Sequence, residues 1–150
     1  MHSHAYARLA AMIVLSFISM YILMYAMVDQ LANVYPNINQ FYMAGLMTAP
    51  MVIIEVLLMG AMYENKTANW TILLVSVLAG VLSFALIRTQ TAVTDQQFLK
   101  SMIPHHAGAV LMCEQAPIED AGIKEFCRKI IAGQQAEIDE MKAKLSTLAR

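Results

Sequence analysis

Apolar positions fall into three unbroken runs and then into two spaced stripes. Residues 9–28, 41–63 and 70–87 each hold about twenty mostly apolar residues, with Glu55 the one charge inside them. At a 1.5 Å rise per residue, that is the length a helix needs to cross the roughly 30 Å hydrocarbon core of a bilayer. Polar connections at 29–40, with Asn33, Pro36, Asn37 and Asn39, and at 64–69 separate the runs. The first run follows Arg8 in the manner of a signal peptide. It is too long for one and lacks a small-x-small cleavage site, so it reads as a retained anchor.

Beyond Arg88 the pattern changes. After a short polar joint at 89–94, apolar and ligand-type residues recur at helical spacing: Asp95, Phe98, Leu99, Met102, His105, His106, Ala109, Met112 and Cys113. At about 100° per residue they fall on one stripe. A second stripe runs Ile123, Phe126, Cys127, Ile130, Gln134, Glu137, Ile138, Met141, Leu145 and Leu148. Pro117 and the acidic pair Glu119 and Asp120 lie between them, which predicts an antiparallel helical hairpin over 95–150. Thr94 and Gln97 form a capping box for its first helix, and Pro104 should kink that helix before the His pair. Counting outward from the turn, His105 and His106 come level with residues 130–134, Met102 faces Gln134 and Asp95 approaches Met141. The predicted fold is all-α: a membrane domain at 1–88, a joint at 89–94 and the hairpin.

Composition agrees with the spans. The chain is 59% hydrophobic and 14% charged over 150 residues, against about 25% charged in ordinary soluble domains. Its net charge of −1 and the lack of a basic patch argue against a nucleic-acid partner. Arg8 and Lys66 share one side of the predicted topology, and Arg88 and Lys100 the other. The balance leans toward a cytoplasmic amino terminus and a hairpin on the far side.

Two adjacent imidazoles on a buried helix face are costly unless each finds a hydrogen-bond or metal partner. Met102, Met112 and Met141 add three thioethers around His105 and His106. Soft donors of this kind favour copper(I) or silver(I) over zinc. Gln134, Glu137 and Asp95 are placed to orient the ligands, as outer-shell partners commonly do.

These residues carry a resemblance. Asp95, Phe98, Leu99, Met102, His105, His106, Ala109 and Met112, followed by Ile130, Ile131, Gln134, Glu137, Ile138 and Met141, are similar to the signature of the bacterial "domain of unknown function 305" family. The match covers roughly residues 93–148. It implies a ferritin-like helical fold associated with copper binding and copper tolerance, and a bacterial inner membrane with the hairpin periplasmic. Many members carry two hairpins and this chain carries one. The resemblance therefore implies that two chains pair to close a four-helix bundle, as a homodimer or higher homo-oligomer.

Further features bear on function. Nine methionines besides the initiator lie in the first two runs and none in the third. Met43, Met47, Met51, Glu55 and Met59 progress by four along the second run, and Met20 and Met24 lie together in the first; they suggest a metal path through the membrane, against the plainer reading that methionine packs irregular cores. Ser76, Ala79, Gly80 and Ser83 form a small-residue face for helix packing. His2 and His4, beside the terminal amine, offer a weak metal site, against the plainer reading of a solvated end. Cys113 and Cys127 sit at different heights about the turn, so a bridge within one chain looks strained; pairing between chains, metal ligation and burial as thiols stay open.

The expected function is a membrane-anchored copper(I)- or silver(I)-binding protein for sequestration, tolerance or handover to a donor or acceptor protein, with no organic cofactor. The competing reading is a structural or assembly membrane protein whose His pair only packs. A di-iron oxidase would require Glu-x-x-His motifs, and the chain has none. No nucleophile triad, phosphate loop or acid–base pair is present, so no enzymatic activity is expected.

Overall fold

The computed structural model describes residues 3–148; His2 lies outside them. It has five α-helices: α1 (Ser3–Leu23), α2 (Ile38–Leu58), α3 (Lys66–Thr89), α4 (Asp95–Gln115) and α5 (Ala121–Leu148), with no strand among the described residues. The chain forms two compact units. One comprises the chain up to Leu23 with Asn39–Thr91; the other comprises Met24–Ile38 with Ala92 onward.

In the first unit, three helices are long and apolar enough to cross a membrane. Their own core is small: Leu9, Val52, Val56 and Tyr63, with Met12, Met51 and Ile72 packed against it. Most large apolar side chains instead point outward, among them Leu15, Ile22, Leu57, Leu74, Val81 and Leu82. An apolar surface of that extent is costly in water and suited to lipid. The small-residue face of α3 meets α2. A Cβ on Gly45 would lie 2.8 Å from Ser83 Oγ, and one on Gly80 would lie 3.2 Å from the Ala49 methyl, so the two backbones approach closely through residues that permit it. Asn65 caps α3 by accepting the Ala68 N–H (3.0 Å). Gln90, left-handed at φ 51°, ends α3 beside Arg88.

The second unit holds more than the predicted hairpin. Leu99, Ile103, Ala107 and Val110 of α4 and Ile138 and Leu145 of α5 form its core, and Val28 and Tyr35 from the Met24–Ile38 segment pack on it. That segment is a built loop with two 3₁₀ turns (Met24–Met27 and Leu31–Asn33). Asp29 Oδ1 accepts from the Gln30 N–H (2.8 Å) and from Asn33 Nδ2 (2.6 Å), and the Tyr25 hydroxyl donates to the Tyr35 carbonyl (2.8 Å).

This second partner explains two departures from the sequence expectation. The buried face of α4 is turned by about one residue step, roughly 100°, from the predicted stripe. Ile103 and Ala107 become fully enclosed, while Phe98, His105 and Met112 are exposed. The capping box is also only half formed. Thr94 Oγ1 accepts the Gln97 N–H (3.4 Å), but the Gln97 side chain turns away to accept the Ile38 N–H (2.9 Å).

Pro104 lies inside α4, which is helical throughout Asp95–Gln115. Proline has no N–H to give the Lys100 carbonyl four residues back. The buried Asn37 side chain supplies the missing donor, at 3.4 Å, while also donating to the Tyr35 carbonyl at 3.0 Å. Replacing Asn37 with leucine strands the Lys100 carbonyl, while the Tyr35 carbonyl keeps the Tyr25 hydroxyl; the loss costs about 1–3 kcal/mol. Faster amide exchange around Lys100 is the expected readout; unchanged exchange there would show the contact to be idle.

Candidate metal site on the helical hairpin

α5 starts at an N-terminus capped by Asp120, whose Oδ1 accepts the Ile123 N–H (2.8 Å). Its first six residues are exposed, and Cys127 is the first to be buried. The link between the helices, extended at Ala116 (φ −67°, ψ 133°) and containing Pro117, carries the chain past the end of α4 before α5 turns back. That overhang brings Cys127 level with Cys113. Their Cα atoms are 5.2 Å apart and the two form a disulfide, in a separation normal for such bridges. The expectation of a strained intrachain bridge is thus corrected. The height difference it assumed is taken up by the length of the link.

The overhang also moves the register by about one helical turn. His106, rather than facing residues 130–134, meets Glu137: Nδ1 lies 3.0 Å from Oε2. The approach is off the ring N–H direction, so it is a close contact without an aligned hydrogen bond, and Nδ1 is otherwise shut off from solvent. One turn toward the amino end of α4, the same register sets Met102 level with Met141 rather than with Gln134. Met141 packs against the Leu99–Ile103 core. Asp95 sits not near Met141 but at the far end, in a recess shared with Lys144, Thr147 and Leu148, where Gln96 Nε2 donates to the Leu148 carbonyl (3.2 Å).

The sequence-predicted set is therefore divided. His106 and Glu137 meet across the α4–α5 interface, and counting from that contact puts Met102 and Met141 at one level a turn further on. With Glu137 against Nδ1, the Nε2 of His106 remains the atom for a ligand. His105 is exposed, its ring centroid 6.1 Å from that of His106. Met112 is 55% exposed, two turns along the outer face. Gln134 is half-buried, on the turn side of Glu137. Among the described residues no three His, Cys, Asp or Glu side chains converge to hold a metal, so any ion held here takes thioethers or a second chain. The outer face of α5 is solvated; Lys144 lies 2.7 Å from Glu140 and holds that carboxyl below its usual range.

The methionines of the expected metal path are dispersed. Met43, Met47 and Met59 are exposed, and Met51 packs in the first unit's core. Met20 Sδ accepts the Thr48 hydroxyl at 3.6 Å, whereas Met24 belongs to the second unit. Glu55 accepts the Tyr63 hydroxyl at 3.1 Å. The bonds that Asn37, Gln97 and Tyr63 make to Lys100, Ile38 and Glu55 were not legible in the sequence; the asparagine-rich connection was the only local signal for the first.

The family model described as "Domain of unknown function (DUF305)" matches residues 83–145. An "Uncharacterized protein L153" from Acanthamoeba polyphaga mimivirus is 31% identical over 135 residues, covering 88% of this chain and 87% of that protein. The chain belongs to the DUF305 family. The DUF305 match contains all of α4 and, with it, Met102, His106, Glu137 and Met141, and the viral relative is similar over a length that takes in helices of the first unit as well. No solved structure matches the chain.

Proposed function

We propose that this DUF305 protein is a membrane-anchored carrier of copper(I), with silver(I) as a second soft ion, acting in sequestration, tolerance or handover to a partner protein. The observation that carries the reading is the His106–Glu137 contact beside the level pair Met102 and Met141. An oriented imidazole and two thioethers make a donor set that suits a soft monovalent ion. A second copy of the chain completes the arrangement. Phe98, Met112, Ile123 and Phe126 are each at least half exposed on the hairpin, and pairing such faces closes a ferritin-like four-helix bundle that brings His105 and Met112 inward. The disulfide favours an oxidising compartment for the hairpin. Three spans put the amino terminus on the opposite side, which in a bacterium means a periplasmic hairpin on the inner membrane.

The test is anaerobic copper(I) titration of the detergent-solubilised protein against a chromogenic chelator. Wild type is expected to bind tightly, and His105→Ala with His106→Ala to lose the equivalent held by the hairpin. Glu137→Gln is expected to weaken it by about 10–100-fold, the usual effect of removing an outer-shell partner. Bound metal should also raise the melting temperature. A copper(I) stoichiometry unchanged by loss of both histidines would leave the competing structural reading of the hairpin.

A further inference from the structure

A second cluster of soft donors lies in the first unit, far along the chain from the hairpin. A cavity of about 440 Å³ is lined by His4, Arg8 and Met12 of α1 and by Glu55, Met62 and Tyr63 at the end of α2 and the 3₁₀ turn after it. The spacing of four between His4, Arg8 and Met12 puts them on one face of α1.

The wall opposite α1 is rigid. Tyr63 is 4% exposed and its ring centroid lies 5.4 Å from that of Tyr6. The Tyr6 hydroxyl donates to Asn69 Oδ1 (2.9 Å), and Asn69 Nδ2 donates back to the Tyr63 carbonyl (2.8 Å). Tyr63 in turn holds the half-buried Glu55 carboxylate through its hydroxyl. An ionisable side chain inside an apolar span carries a functional role by default, and the hairpin makes no use of this one.

We propose that this cavity is a second soft-cation site, in which the His4 imidazole and the Met12 and Met62 thioethers take copper(I) or silver(I) and Glu55 balances the charge. Two thioethers and one imidazole are too few and too soft for calcium or magnesium, which need six or more oxygens. The set lacks the thiolates or extra imidazoles of a structural zinc centre. Arg8 is exposed, and its long stem lets the guanidinium turn out toward headgroups instead of opposing a cation. The class of ion rests on the soft-metal reading of the hairpin; the residues do not.

The experiment is copper(I) stoichiometry per chain in the full-length protein, by anaerobic competition with a chromogenic chelator, for wild type, Met12→Leu with Met62→Leu, and His105→Ala with His106→Ala. Two equivalents are expected in wild type and one in each variant. A single equivalent that disappears in the Met12/Met62 variant and persists in the hairpin variant supports this site and overturns the hairpin reading. Binding unchanged in the Met12/Met62 variant overturns this site alone, and no binding in wild type overturns both. Met62→Leu by itself, at an exposed turn position, repeats the test should the double substitution disturb folding.

Discussion

Truncating Ile138 to alanine is expected to destabilise the hairpin by about 3–4 kcal/mol, within the range for enclosed isoleucines. Ile138 has no exposed surface and packs in one cluster with Ile103, Ala107 and Val110 of α4. Alanine leaves a cavity bounded by helices that cannot close on it: the disulfide ties them at one end, and the Met24–Ile38 segment covers α4 on another side. Ile103→Ala should behave alike. The double variant should cost less or more than the sum, because the residues share a cluster. Ile123→Ala, at a half-exposed position on the overhanging first turn of α5, is the control and should change stability by well under 1 kcal/mol. Amide exchange of α4 and α5 is the measurement, since the hairpin itself holds no tryptophan. A loss of about 3 kcal/mol speeds exchange there roughly a hundredfold. An Ile138 variant that exchanges like the Ile123 control would sink the proposed packing.

The second large effect is that of the Cys113–Cys127 bridge. It closes a loop with a sequence separation of 14, for which chain entropy predicts about 3 kcal/mol of stabilisation. Cys113→Ser with Cys127→Ser should therefore lower the melting temperature of the hairpin unit by roughly 12–24 °C, at 4–8 °C per kcal/mol for a unit of this size. The bridge sits where the overhang sets the register, so its loss should also weaken the His106–Glu137 contact and lower copper(I) affinity. Thiol titration of the unreduced, denatured protein checks the premise: no free thiol is expected, and two per chain would show that the bridge does not form.

Much of this architecture could be read along the chain. Three helices of spanning length and a hairpin follow from uninterrupted apolar runs, from helical spacing, and from breakers such as Pro117 and caps such as Thr94, all local signals. The small-residue face of α3 was likewise legible, because only residues without bulk allow Gly45 and Gly80 so close to their neighbours. The candidate ligands were identified by type. Their grouping was not: His105 and Met112 fell on the exposed face, and Met102 and Asp95 met different partners on α5 from those that counting assigned.

The sequence by itself thus determined which segments are helical, which are long and apolar enough to enter a membrane and which residues carry soft donor atoms, since each depends on residue type and on neighbours within a few turns. The tertiary structure decided the register of α5 on α4, the disulfide, the pairing of His106 with Glu137 and the use of Asn37 to satisfy the carbonyl that Pro104 leaves open. These depend on how far a five-residue link carries α5 beyond α4, and on a polar side chain sixty-three positions away from the carbonyl it serves. Contacts at such separations are set by the packing of whole elements against one another, which local periodicity does not encode.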